Sequence, residues 1–126
     1  MVIADSCYGG LLSKDQRIPA LVSMPQLTEK QMKELLGRRS RIVLSSGGVQ
    51  PVVDSAAPTA THSVFARAFI DVLQRNSGSL SIAELYGRVF VEMDEALEKV
   101  GLSQEPQLRA IGAARHGWGD FYFVAK

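Results

Sequence analysis

The run Asp5-Ser6-Cys7-Tyr8-Gly9-Gly10 carries the only cysteine of the chain, set in a polar, glycine-rich turn directly after the apolar segment Val2-Ile3-Ala4. A thiol in such a turn has the setting of a nucleophile. Gly9 and Gly10 let the backbone turn sharply, and free amides there, those of Cys7 and Gly9 among them, suit an oxyanion. The competing role for a lone cysteine is that of a small buried hydrophobe. Asp5, two residues before the thiol, reads locally as a turn cap.

Something must present that turn. Val2-Ile3-Ala4 is short and apolar on consecutive residues, the pattern of a strand buried on both faces. Residues 9–26 carry Pro19 and Pro25 and read as a long loop. Thr28 with Gln31 forms a capping box, and a helix over 28–36 ends at Gly37. Residues 41–44, Arg-Ile-Val-Leu, form a second buried strand, closing in Ser45-Ser46-Gly47-Gly48. A loop with Pro51 and Pro58 precedes a helix over 63–75. Ser81 and Glu84 make another capping box, opening a helix over 81–100. After a loop with Pro106, residues 121–124 form a last strand. Strands alternating with helices define an α/β chain in one sheet. In open α/β sheets, ligands sit outside the carboxyl ends of the strands. Cys7 and Ser45-Ser46 both fall there, so they are expected at one edge.

With 126 residues the chain is a single domain, and 46% hydrophobic and 21% charged residues make it an ordinary globular one. A net charge of +1 makes no electrostatic case for nucleic acid or for a membrane surface. One cysteine excludes an internal disulfide and a thiolate-rich metal site; neither a metal nor a cofactor is expected. No apolar run approaches the roughly 20 residues of a membrane span, and no signal peptide is visible. The expected setting is the cytoplasm.

Cys7-Tyr8-Gly9 matches the second half of the caspase signature Gln-Ala-Cys-x-Gly. Asp5-Ser6 in place of Gln-Ala is closer to metacaspases. "RIVLSSGGVQPVVD" (41–54), "HSVFARAFIDVL" (62–73) and "RHGWGDFYFV" (115–124) follow in order. Over nearly its whole length the chain resembles the bacterial caspase-like peptidase domain. The resemblance implies a caspase-like three-layer sandwich with a mostly parallel sheet, here a partial domain of about three strands and three helices. It implies a cysteine endopeptidase with Cys7 as nucleophile. It further implies Asp5 as a carboxylate for a basic P1 side chain and Ser45-Ser46 as a strand end whose backbone pairs with substrate. Asp54 would be a second acidic group of that pocket. Locally, Ser45 and Ser46 read equally as a plain polar strand end, and Asp54 as a solvated loop residue.

The resemblance also exposes a gap. The family's histidine lies about 50 residues before the cysteine, whereas only six residues precede Cys7 here. The expectation is the nucleophile-bearing C-terminal half of such a domain, inactive alone, with its strand-end His-Gly on a missing half or a second chain. His62 reads as a helix-start residue and His116 as part of a turn, neither as the base. Expected partners are therefore a peptide or protein substrate and a completing chain. Two readings compete: a non-catalytic caspase-like interaction protein that pairs with another chain, and a different thiol enzyme on a flavodoxin-like sheet.

Overall fold

A computed structural model describes residues 1–6, 28–48, 52–54, 60–111 and 114–126. Cys7 and Gly9, with most of the long loop, lie outside the described residues.

The central strand is β2 (Ile42–Ser45), whose four residues are all buried. It pairs in parallel with β1 (Val2–Ala4), placing Val2 opposite Val43 and Ala4 opposite Ser45. On its other side it pairs antiparallel with β4 (Gln107–Ala110), Ile42 opposite Ala110 and Ser45 opposite Gln107. The sheet order is thus β1-β2-β4, a mixed sheet rather than a mostly parallel one.

Three helices accompany the sheet: α1 (Glu29–Gly37), α2 (Val64–Gln74) and α3 (Ile82–Glu98). Both expected capping boxes form, Thr28 with Gln31 and Ser81 with Glu84. Ser63 caps α2 by accepting the Ala66 N–H. Along α3, Leu85, Val89, Met93 and Leu97 recur every fourth residue, and none is more than 1% exposed. That stripe joins Phe65 and Val72 of α2 and Ile42, Leu44 and Leu108 of the sheet in one core. Burying each such side chain contributes roughly 1.5–3 kcal/mol. By contrast, α1 has no buried residue.

Five strands are described where about three were expected, and three further expectations fail for identifiable reasons. First, β1 is not buried on both faces: Val2 is 44% and Ile3 39% exposed, because β1 is the edge of the sheet among the described residues. Second, the C-terminal strand β5 (Tyr122–Val124) lies outside this sheet. It pairs antiparallel with the short strand β3 (Ser79–Ser81), Leu80 opposite Phe123, and Val124 is 73% exposed. Third, the stretch after Pro106 is β4 rather than loop, with Leu108 and Ala110 alternating inward. A proline just before a strand costs the ladder no hydrogen bond.

Candidate active edge

The parallel register of β1 and β2 brings their carboxyl ends together. Ser46 donates its N–H to the Ala4 carbonyl at 2.9 Å, extending the ladder by one residue. Its side chain then holds the residue before Cys7: Ser46 Oγ accepts the Ser6 N–H at 3.0 Å and lies 3.4 Å from the Ser6 carbonyl. Ser45 and Ser46 are 1% and 0% exposed. Ser45 Oγ donates to the Gly47 carbonyl at 3.0 Å. Both hydroxyls are therefore spent within the protein, as buried polar groups must be.

Two residues that sequence reasoning did not single out complete this edge. Gln104 donates its Nε2 to the Ser46 carbonyl and accepts the Val53 N–H on Oε1, each at 2.6 Å. One amide thereby joins the strand end to the segment that leads into Asp54, which is itself exposed. Ser63 is the second. Besides capping α2, its Oγ donates to Asp5 Oδ2 at 2.5 Å. A serine before an apolar helical run is a readable cap signal, but nothing local announces its distant carboxylate partner. Asp5 is exposed, so the contact links the end of β1 to the start of α2 without removing the carboxylate from water.

The structure thus brings Asp5, Ser45 and Ser46 to one edge, with Asp54 linked to it through Gln104. Cys7 continues directly from Ser6, but its own position lies outside the described residues. The two histidines separate. His116 accepts the Arg41 N–H on Nδ1 at 3.1 Å, at the amino end of β2. That is the opposite end from Ser45, about 13 Å along a strand that rises roughly 3.3 Å per residue. His62 immediately precedes Ser63 and so stands on the Asp5 side. A cleft of about 430 Å³ lies there, with His62, Ser63, Arg67, Asp71 and Glu92 in its walls. Its carboxylates are paired: Asp71 with Arg67 at 2.9 Å, and Glu92 with Arg75 at 2.6 Å.

Three titrating groups elsewhere are shifted. Burial lowers His116, favouring the neutral ring that accepts from Arg41. Burial raises Asp120, and the Glu84 charge adds to this, against hydrogen bonds that favour the carboxylate. Burial and then the Asp120 charge raise Tyr122. Among the described residues no group of His, Cys, Asp and Glu is arranged to hold a metal ion. Nor is any described helix long and apolar enough to cross a membrane. No protein-family model matches the chain, and no curated protein or solved structure matches it either.

Proposed function

We propose that the chain is the nucleophile-bearing part of a caspase-like cysteine endopeptidase, with Cys7 attacking the scissile carbonyl and Asp5 favouring a basic P1 residue. The observation that carries this reading is the parallel β1–β2 pair. It ends in Ala4 opposite Ser45, and Ser46 fixes Ser6, the residue before the thiol. A strand end held in this way is where a nucleophilic turn is needed. On this reading the fold is a partial caspase-like sandwich, and the family-like segments fall in family order.

The base is the weak point of the isolated chain. His116 is at the wrong end of β2 and its Nδ1 is engaged. Removing the base from such a unit costs several orders of magnitude in rate. The chain alone is therefore expected to show no appreciable turnover of peptides with Arg, Lys or Asp at P1. Turnover that Cys7→Ala abolishes would place the base within the chain, and His62→Ala is then the variant to measure.

The class is tested without turnover. A peptidyl chloromethyl ketone ending in Arg alkylates a thiol that lies beside a bound P1 side chain. Cys7 should be labelled faster by this reagent than by its Asp-ending counterpart, and Asp5→Asn should shrink the difference. Equal rates for both reagents, matching those of a free cysteine, would remove the peptidase reading. They would favour the interaction protein instead, a reading to which the exposed Val2 and Ile3 on the edge strand also point.

A further inference from the structure

Residues 38–41 lead from α1 into β2, and the turn at 115–119 lies across them. Gly117 donates its N–H to the Arg39 carbonyl at 2.8 Å, and Arg41 donates its N–H to His116 Nδ1 at 3.1 Å. Arg115 and Trp118 hold left-handed backbone, with φ of 55° and 58°, which residues other than glycine avoid. Strain of this kind persists where surrounding contacts enforce it. What the turn presents is the only tryptophan of the chain, 59% exposed, its ring edge-on to His116 at 5.5 Å.

The two backbone segments that meet here carry four arginines. Arg38, Arg39, Arg41 and Arg115 are all exposed, and none forms an ion pair among the described residues. His116 adds a donor, because a ring that accepts on Nδ1 carries its proton on Nε2. The acidic residue of the turn, Asp120, uses Oδ1 to accept the Phe121 N–H at 2.7 Å. Like charges gathered on adjoining backbone repel one another. The whole-chain charge of +1 hides this patch, because acidic residues outnumber basic ones in the remainder.

We propose that this clasp binds single-stranded nucleic acid, with a base stacked on Trp118 and successive phosphates taken by Arg38, Arg39, Arg41 and Arg115. An exposed indole offers a flat face to any base, and guanidinium forks match phosphate oxygens. The cations are spread over two backbone segments, which suits a chain of phosphates better than a single one. The clasp lies at the amino end of β2, away from Ser45 and Ser46 at its carboxyl end, so this assignment is independent of the peptidase reading.

Trp118 makes the test direct, since indole fluorescence reports from the site alone. The full chain is titrated at low salt with a mixed-sequence single strand of about twelve nucleotides, within the range of single-strand binding sites. Saturable quenching is expected. Trp118→Gly should weaken binding about tenfold or more, followed by anisotropy of a labelled strand. It should leave Tm unchanged or raise it, because glycine takes this backbone without strain. Trp118→Phe, which keeps a ring, should retain most of the affinity. Replacing Arg39 and Arg41 by Gln should flatten the plot of log affinity against log salt by about 0.7 per arginine lost. Absence of saturable binding would overturn the proposal, as would equal affinity in Trp118→Gly. So would binding of a free mononucleotide or of a polyglutamate peptide as tight as that of the strand.

Discussion

The two ends of β2 make opposite use of their polar residues. At the carboxyl end, Ser45, Ser46, Gln104 and Ser63 pair with one another's neighbours, and the hydroxyls of Ser45 and Ser46 are buried and satisfied. At the amino end, among the described residues, four arginines go without ion pairs, Ser40 Oγ is buried without a partner, and two non-glycine residues sit at positive φ. The first arrangement is what a strand end needs in order to hold a turn rigidly. The second leaves a buried hydroxyl and two residues of left-handed backbone beside the Gly117–Arg39 and Arg41–His116 hydrogen bonds that hold the clasp. The contrast teaches that a tightly satisfied site supports a neighbouring group, whereas an unsatisfied one is shaped for something outside the protein.

The largest test of this contrast is Gly119→Ala. A Cβ at Gly119 would overlap the Arg38 carbonyl oxygen and press on the Arg39 backbone, neither of which is a flexible side-chain end. The turn must then lift off residues 38–41. We expect a loss of about 3 kcal/mol in chemical denaturation, the upper range for an overpacked site, with Cys7 alkylation rates unchanged. A loss under about 0.5 kcal/mol, the range of a plain surface substitution, would show that the clasp is loose and the contrast overstated.

Ser46→Ala attacks the other end and should do less. It removes the acceptor of the Ser6 N–H and empties a fully buried hydroxyl position, but Ser6 is exposed and water can replace the lost partner. The expected cost is about 1–2 kcal/mol, with strand binding at the clasp unaffected. Because Ser46 fixes the residue before Cys7, the variant should also change the thiol's alkylation rate. An unchanged rate would mean that the turn is held by other contacts.

Which of these features could be read from the chain follows from the range of each signal. The capping boxes at Thr28 and Ser81 and the four-residue stripe of α3 are local, and they are legible as they stand. The apolar runs of β1 and β2 look alike, yet among the described residues only β2 has neighbours on both sides, and no run of three or four residues states its place in a sheet. Residues 121–124 are as apolar as β2, but they pair with β3 and stay half-exposed, since tertiary partners and not composition decide burial. At the candidate edge, the meeting of Asp5 with Ser45 and Ser46 follows from parallel strands. The roles of Gln104 and Ser63 do not, because their partners lie 58 residues away. The clasp is the extreme case: Arg41 and His116 are 75 residues apart, and a whole-chain charge count cannot register a patch.

The smallest expected effect separates the two ends by pH. The carboxyl end is fastened largely by neutral groups, Ser46 and Gln104. The amino end is fastened in part by His116, whose Nδ1 must stay unprotonated to accept from Arg41. Burial lowers its pKa in the folded state below the ordinary 6.5. The stability that the neutral ring contributes is therefore fully present above pH 6.5. It is lost as the pH falls from there through the lower folded value, because the unfolded chain takes up the proton first. Asp120 works in the other sense: its raised pKa makes acidification favourable to folding above 3.8. The two must be separated by substitution. His116→Asn keeps an acceptor near Nδ1 and cannot titrate in this range. Thermal midpoints of the wild type should decline on acidification just below pH 6.5, by a small amount because the ring is only partly buried. Those of His116→Asn should stay flat over the same window. Identical profiles for the two proteins would mean that the Arg41 contact contributes nothing to holding the clasp, and the turn would then rest on the Gly117 and Gly119 approaches alone.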